Sequence, residues 1–285
     1  MPLRVALRKC PEAIFLPVDF KKYIEVSSRL KAILRDYTPL LESWGLDEAF
    51  LDVSGSKRSA VEIALEIKER IKQELGLTGS VGVAQNKLLA KMASSMNKPN
   101  GLTVLLGKNA SRLISSLPVS KLLWVGKKTT ARLKEMGIET IGDLRETSLA
   151  RLREHFGPAS SEMLYNYSRG IDESPVVPHH EPKSISHETT FQVDTKNIKV
   201  IKDVLWRFAQ FLEKELAQQG FKGRTVTVKI RYKNFTTHTR AHTLSKLTRS
   251  AGTIYKAALK TLDKFDFERE VRLVGLRLSN LEKIR

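Results

Sequence analysis

Leu46-Asp47-Glu48-Ala49-Phe50-Leu51-Asp52 is the stretch whose reading decides this chain. Two adjacent carboxylates, Asp47 and Glu48, stand in an apolar, strand-like run. A strand that buries its neighbours tolerates an unpaired charge badly, because desolvating it is costly. A cation is therefore expected beside the pair. Hard divalent ions such as Mg²⁺ take carboxylate and phosphate oxygens together. The same dipeptide also suits the solvated tip of a hairpin turn. On either side, residues 40–44 and 49–53 read as two strands.

Upstream, residues 2–16 read as irregular. Asp19 is placed to cap a helix whose apolar positions Tyr23, Val26, Leu30, Ile33, Leu34 and Tyr37 recur at three- and four-residue steps, with Pro39 beyond it. Downstream, Val61, Ala64, Leu65, Ile71 and Leu75 mark a second amphipathic helix. Residues 80–84 and 103–106 read as strands, 88–96 as a helix, and Lys98-Pro99-Asn100-Gly101 as a turn. Strands alternating with helices predict an α/β or α+β sheet domain.

From 109 to 170 the pattern turns helical. Val125-Gly126-Lys127-Lys128 precedes a helical run, a place where backbone N–H groups and lysines can meet a phosphate. An ordinary turn between helices reads equally well there. Pro175, Pro178 and Pro182 mark a linker. Its His179-His180 pair has no third ligand at metal-binding spacing. A last domain then reads strand–helix–strand–strand–helix–strand. In its second strand Val226, Val228, Ile230 and Tyr232 face one way, and Thr225, Thr227, Lys229, Arg231 and Lys233 the other.

The chain has 285 residues, enough for two or three domains, and 41% of them are hydrophobic. No apolar run approaches a membrane span, and the N-terminus lacks a secretory pattern. The single cysteine, Cys10, makes no internal disulfide, which fits a reducing, cytoplasmic setting. The formal net charge is +18. Residues 183–285 hold 22 Lys and Arg against 10 Asp and Glu, so two-thirds of the excess sits there. Without a basic amphipathic helix to suggest a membrane surface, that balance points to nucleic acid. A hydroxyl-bearing basic sheet face suits a phosphate backbone better than base edges.

Several motifs then agree in order and spacing. Gly45-Leu46-Asp47-Glu48-Ala49-Phe50-Leu51-Asp52 resembles the Ser-Ile-Asp-Glu-Ala-Phe-Leu-Asp motif of the Y-family, or translesion, DNA polymerases of the DNA polymerase IV type, with Gly45 in place of Ser. Ser80-Val81-Gly82-Val83-Ala84-Gln85-Asn86-Lys87-Leu88-Leu89-Ala90-Lys91 resembles that family's next palm signature, and Lys98-Pro99-Asn100-Gly101 its following turn. Residues 122–133 resemble the helix-hairpin-helix of its thumb, with Trp124 at the position of the first hairpin glycine. Lys183–Phe191 and Leu276–Leu281 resemble the two ends of its little-finger domain.

The resemblance covers essentially the whole chain. It implies an α+β multidomain fold: a remnant of the fingers at 1–15, an incomplete catalytic palm at 16–107, a helical thumb at 108–176, a linker at 177–183, and a βαββαβ little finger at 184–285. It implies two-metal nucleotidyl transfer during template-directed DNA synthesis past damaged bases. Asp47 and Glu48 would be catalytic metal ligands and Lys98 a triphosphate contact. Gly126, Lys127, Lys128, Lys229, Arg231, Lys233, Arg240 and Arg277 would contact DNA. The family's metal-bridging Asp and its Tyr-Glu-Ala-Arg fingers segment are not matched, so this chain is expected to be catalytically impaired. The alternative is a non-catalytic DNA-binding remnant. Implied partners are primer-template DNA, deoxynucleoside triphosphates and two Mg²⁺ ions, with the chain acting as a monomer off the membrane. A sliding clamp is a further family partner, though no clamp-binding peptide is recognisable.

Overall fold

A computed structural model describes residues 1–107 and 110–284. The chain divides into two compact units, Met1–His179 and His180–Arg285.

The first unit opens with α1 (Leu3–Lys9), where the sequence reading expected irregular backbone. Leu, Ala, Arg and Lys are strong helix formers, and Arg8 and Lys9 suit the carbonyl end. No residue of α1 is buried. Helix α2 (Phe20–Arg35) starts at Asp19, whose carboxylate accepts the Lys22 N–H at 3.0 Å. Strands β1 (Leu41–Ser43) and β2 (Ala49–Leu51) pair antiparallel, with Glu42 opposite Phe50. Helix α3 (Ala60–Leu75) begins with a Ser59–Glu62 capping box and stops at Gly76, which takes a φ of 67°. Its buried stripe, Ile63, Ile67 and Ile71, packs with Leu34 and Leu41.

Strands β3 (Val81–Ala84) and β4 (Leu102–Leu105) pair in parallel, and α4 (Lys87–Met96) makes the crossover between them. The helix lies so close to β3 that a Cβ on Gly82 would stand 2.0 Å from the Ala90 carbonyl oxygen. Next come α5 (Ala110–Ser115), a 3-10 turn at Val119–Lys121, α6 (Lys127–Glu135), α7 (Ile141–Glu146), α8 (Leu149–His155) and α9 (Pro158–Ser168). These helices share one core with Leu88, Leu89 and Met92 of α4. The expected boundary near 107 therefore falls inside a continuous apolar cluster.

The second unit has the predicted element order. Strand β5 (Ser184–Thr195), α10 (Ile198–Gln219), β6 (Phe221–Tyr232), β7 (Thr237–Thr248), α11 (Ala251–Leu262) and β8 (Val271–Ser279) are followed by a short β9 (Glu282–Lys283). The strands run in the order β5-β8-β6-β7, all antiparallel, with β9 on the start of β6. Val226, Val228 and Ile230 of β6 and Val274, Leu276 and Leu278 of β8 pack against the apolar stripes of α10 and α11. Both helices cover this one face and leave the other uncovered by helices.

Candidate active site and nucleic-acid interface

Asp47 and Glu48 sit at the tip of the β1–β2 hairpin rather than within a strand. Asp47 is exposed and Glu48 half-buried, so the burial argument made from the sequence applies only to Glu48. The tip is held from three sides. The Trp44 N–H donates to the Glu48 carbonyl at 2.8 Å, the Ser27 hydroxyl donates to the Leu46 carbonyl, and Lys31 donates to the Gly45 carbonyl at 2.9 Å. Gly45 takes a φ of 97°. That left-handed backbone supplies a conformational reason for glycine where the resembling motif has Ser.

The expected cation beside the acids is present as a side chain. Lys91, on α4, forms a close ion pair with Glu48, and its ammonium also lies 5.7 Å from the Trp44 ring centre. The motif that contains Lys91 does not by itself show this partner. The signal was available: Lys87 and Lys91 are one helical turn apart and so share a face. Lys87 uses that face to bind the buried Glu42 at 2.9 Å, and the Val177 N–H donates to the same Glu42 oxygen. Asn86 caps α4 through Leu89 and donates to the Gly170 carbonyl at 2.8 Å. Asp52 accepts the Ser54 N–H, and this side chain and backbone together hold its carboxyl below the usual range.

Asp47, Glu48, Lys91 and Lys98 line one cleft of about 530 Å³. Asp47 and Lys98 have no side-chain partner among the described residues. The turn carrying Lys98 is fixed by Lys68, which donates to the Asn100 and Gly79 carbonyls, each at 2.8 Å. Consecutive residues of β2 and of β3 also line the cleft, namely Ala49, Phe50 and Leu51, and Val81, Gly82, Val83 and Ala84. A pleated strand presents consecutive residues to one space only along its edge. Among the described residues, β2 pairs only with β1 and β3 only with β4. No cluster of three or more potential ligands occurs among the described residues, His179-His180 included.

In the helical part, Gly126 precedes α6 without a side-chain cap, and Lys127 and Lys128 are exposed on its first turn. Trp124 adopts a φ of 67°, a backbone that suits the glycine it replaces. Its ring meets Trp44 edge-on with centroids 5.3 Å apart.

On the second unit's open face, register places Arg277 opposite Thr227 and Gly275 opposite Lys229. Ser186 and Glu188 of β5 continue the same two rows. Lys229 reaches Glu188 at 2.8 Å, and Arg231 donates to the Thr237 hydroxyl at 2.9 Å. Two expected members are elsewhere. Arg240 lies opposite Val228, so it faces the helix side, with its guanidinium 5.7 Å from the Phe265 ring centre. Lys233 lies past the end of β6 and is held by Glu270 at 2.6 Å. Strand alternation sends Arg240 inward, and the end of the ladder removes Lys233 from it.

Three family profiles match the chain. The impB/mucB/samB family matches residues 1–95, the thumb domain of DNA polymerase-iota 121–172, and the impB/mucB/samB C-terminal domain 182–285. DNA polymerase IV of Listeria monocytogenes is 38% identical over the whole chain and 81% of its own length. DNA polymerase IV 2 of Agrobacterium fabrum is 42% identical, covering 99% of this chain and 80% of its own. The chain belongs to the Y-family DNA polymerases. A solved Y-family DNA polymerase chimera of Dbh and Dpo4 segments superposes with a TM-score of 0.89 at 27% identity, over all of this chain and 83% of its own. By family the protein is a DNA-directed DNA polymerase, a nucleotidyltransferase of the translesion type.

Proposed function

We propose that the cleft between β2 and β3 is the nucleotidyl-transfer site and that the open face of the second unit grips primer-template DNA. The observation that carries this is the convergence of Asp47, Glu48 and Lys98 on one cleft in a chain of this family. Asp47 and Glu48 are the oxygen donors that would hold Mg²⁺, an ion that binds through one or two carboxylates plus substrate phosphates. The donor set fits one such ion. The described residues add no third acid for a second. When bound, magnesium supplies Lewis-acid activation of the primer hydroxyl and neutralises charge on the departing pyrophosphate.

The chain's own residues do the remaining work. Lys98, exposed and unpaired, places a positive charge where a triphosphate enters the cleft. Lys91 holds Glu48 in the free chain and would compete with a metal for its carboxylate. Lys229, Arg231 and Arg277, with Gly126, Lys127 and Lys128, hold the phosphate backbone without reading bases. In this reading the palm, thumb and little finger occupy 16–107, 108–176 and 184–285. The chain works as a monomer in the cytoplasm on deoxynucleoside triphosphates. No helix among the described residues is long and apolar enough to cross a membrane.

Primer extension with a Mg²⁺ titration tests the proposal. Metal-dependent incorporation that Glu48→Ala abolishes, with duplex affinity unchanged, is the expected result. Incorporation indifferent to Glu48→Ala would overturn the assignment. Retained binding with no incorporation by the parent chain would likewise overturn the assignment of synthesis to this cleft.

A further inference from the structure

Glu188 and Lys229 belong to strands that do not touch, because β8 runs between β5 and β6. Their ion pair at 2.8 Å crosses that strand at Gly275, which lies in register with both. A side chain there would block the crossing, since an added Cβ would stand 3.0 Å from the Glu188 Cβ and 3.5 Å from the Lys229 Cβ. Glycine inside a strand often marks a point where another group comes down onto the sheet. Here the group that comes down is an oxygen anion supplied by the protein itself.

The next row carries two groups that want an anion of that kind. Arg277 is exposed and has no hydrogen bond or ion pair among the described residues. Thr227 beside it is 6% exposed, and its hydroxyl oxygen is buried with no partner. An unsatisfied buried polar group is a standing cost that a ligand oxygen can remove once the side chains over it move aside.

We propose that Lys229, Gly275, Arg277 and Thr227 form a seat for one backbone phosphate of bound DNA, and that Glu188 covers this seat in the free protein. The proposal rests on the open face being the DNA interface. A phosphate displaces the Glu188 carboxylate from Lys229, drawing its second cationic contact from Arg277. Glu188 thereby sets a threshold: weak, sequence-independent encounters must displace a built-in competitor. The cover weakens retention on DNA without adding any contact of its own.

The experiment uses the full chain with Glu188→Gln, Lys229→Met, the double variant and Arg277→Met. Each is titrated with a duplex of arbitrary sequence across a salt series. Glu188→Gln is expected to tighten binding roughly three- to fivefold, the upper end of the scale of one exposed charge contact. In the Lys229→Met background that gain is expected to shrink below about twofold, because the two groups act as a coupled pair. An equal gain in both backgrounds would reduce Glu188 to a general negative charge and overturn the cover. No gain in either would overturn it too. If instead Lys229→Met and Arg277→Met leave affinity and salt slope untouched, the interface assignment itself fails.

Discussion

Gly45 and Thr227 show how single residues carry cost in opposite ways. Gly45 holds the acidic tip with a φ of 97°, where an L side chain is strained by about 1–2 kcal/mol. Gly45→Ala is expected to lower the melting temperature of the first unit, measured by calorimetry, and to leave the second unit's transition in place. Thr227 has the reverse profile. Thr227→Val removes a buried hydroxyl that lacks a partner, so the free protein should gain about 1 kcal/mol. The same change should weaken duplex DNA binding, if the hydroxyl serves a phosphate. A variant that loses both stability and affinity would show that this hydroxyl is satisfied in the free chain.

At the scale of elements, the two short sheets of the first unit contrast with the long sheet of the second. Strands β2 and β3 each keep one unpaired edge on the cleft. Hydrogen exchange should therefore be faster at 49–51 and 81–84 than at 225–231 and 273–278, where both sides of β6 and β8 are paired. Equal protection in all four segments would mean that the cleft edges are covered. The capped helices bring a pH dependence. Backbone and side-chain hydrogen bonds from Ser59 hold Glu62, and those from Thr140 hold Asp143, below the ordinary carboxylate range. A depressed folded pKa stabilises above the unfolded value, and that contribution fades as pH falls through the folded one. Glu62→Gln should thus flatten the acid side of the stability curve, followed by circular dichroism. Much of this level was legible in the sequence. The alternation of β6 gave its buried face directly. The periodicity of α2 found the buried Ile33 and Leu34 but also named the exposed Tyr23. That of α3 found Ala64 and Ile71 but named Leu65, which is exposed, and passed over the buried Ile63 and Ile67. Helix α1 was missed although Leu3, Ala6 and Leu7 fall at three- and four-residue steps, because seven residues that bury nothing make too short a pattern to read. The inward turn of Arg240 needed the pairing register with Val228, which no local pattern contains. Lys91 was in view but unassigned, since its partner lies 43 residues away.

At the scale of the molecule, each compact unit has apolar clusters of its own, two in the first and one in the second. Residues 180–285 expressed alone should fold cooperatively and bind duplex DNA with a steep salt dependence. Each of Lys229→Met and Arg277→Met should reduce the slope of log affinity against log salt by about one. A nearly flat salt plot for the fragment would place DNA binding elsewhere in the chain. The three tryptophans are divided between the same units. Trp206 stands on α10 with Tyr255 at 5.3 Å, whereas Trp44 and Trp124 meet edge-on beside the acidic hairpin. The Lys91 ammonium stands over Trp44 and pairs with Glu48. Anything that draws Glu48 away from Lys91 shifts a charge next to an indole, and so changes its fluorescence. With Trp206 replaced by Phe, the chain becomes its own optical indicator of cation capture at the hairpin, readable without nucleotide, primer or label.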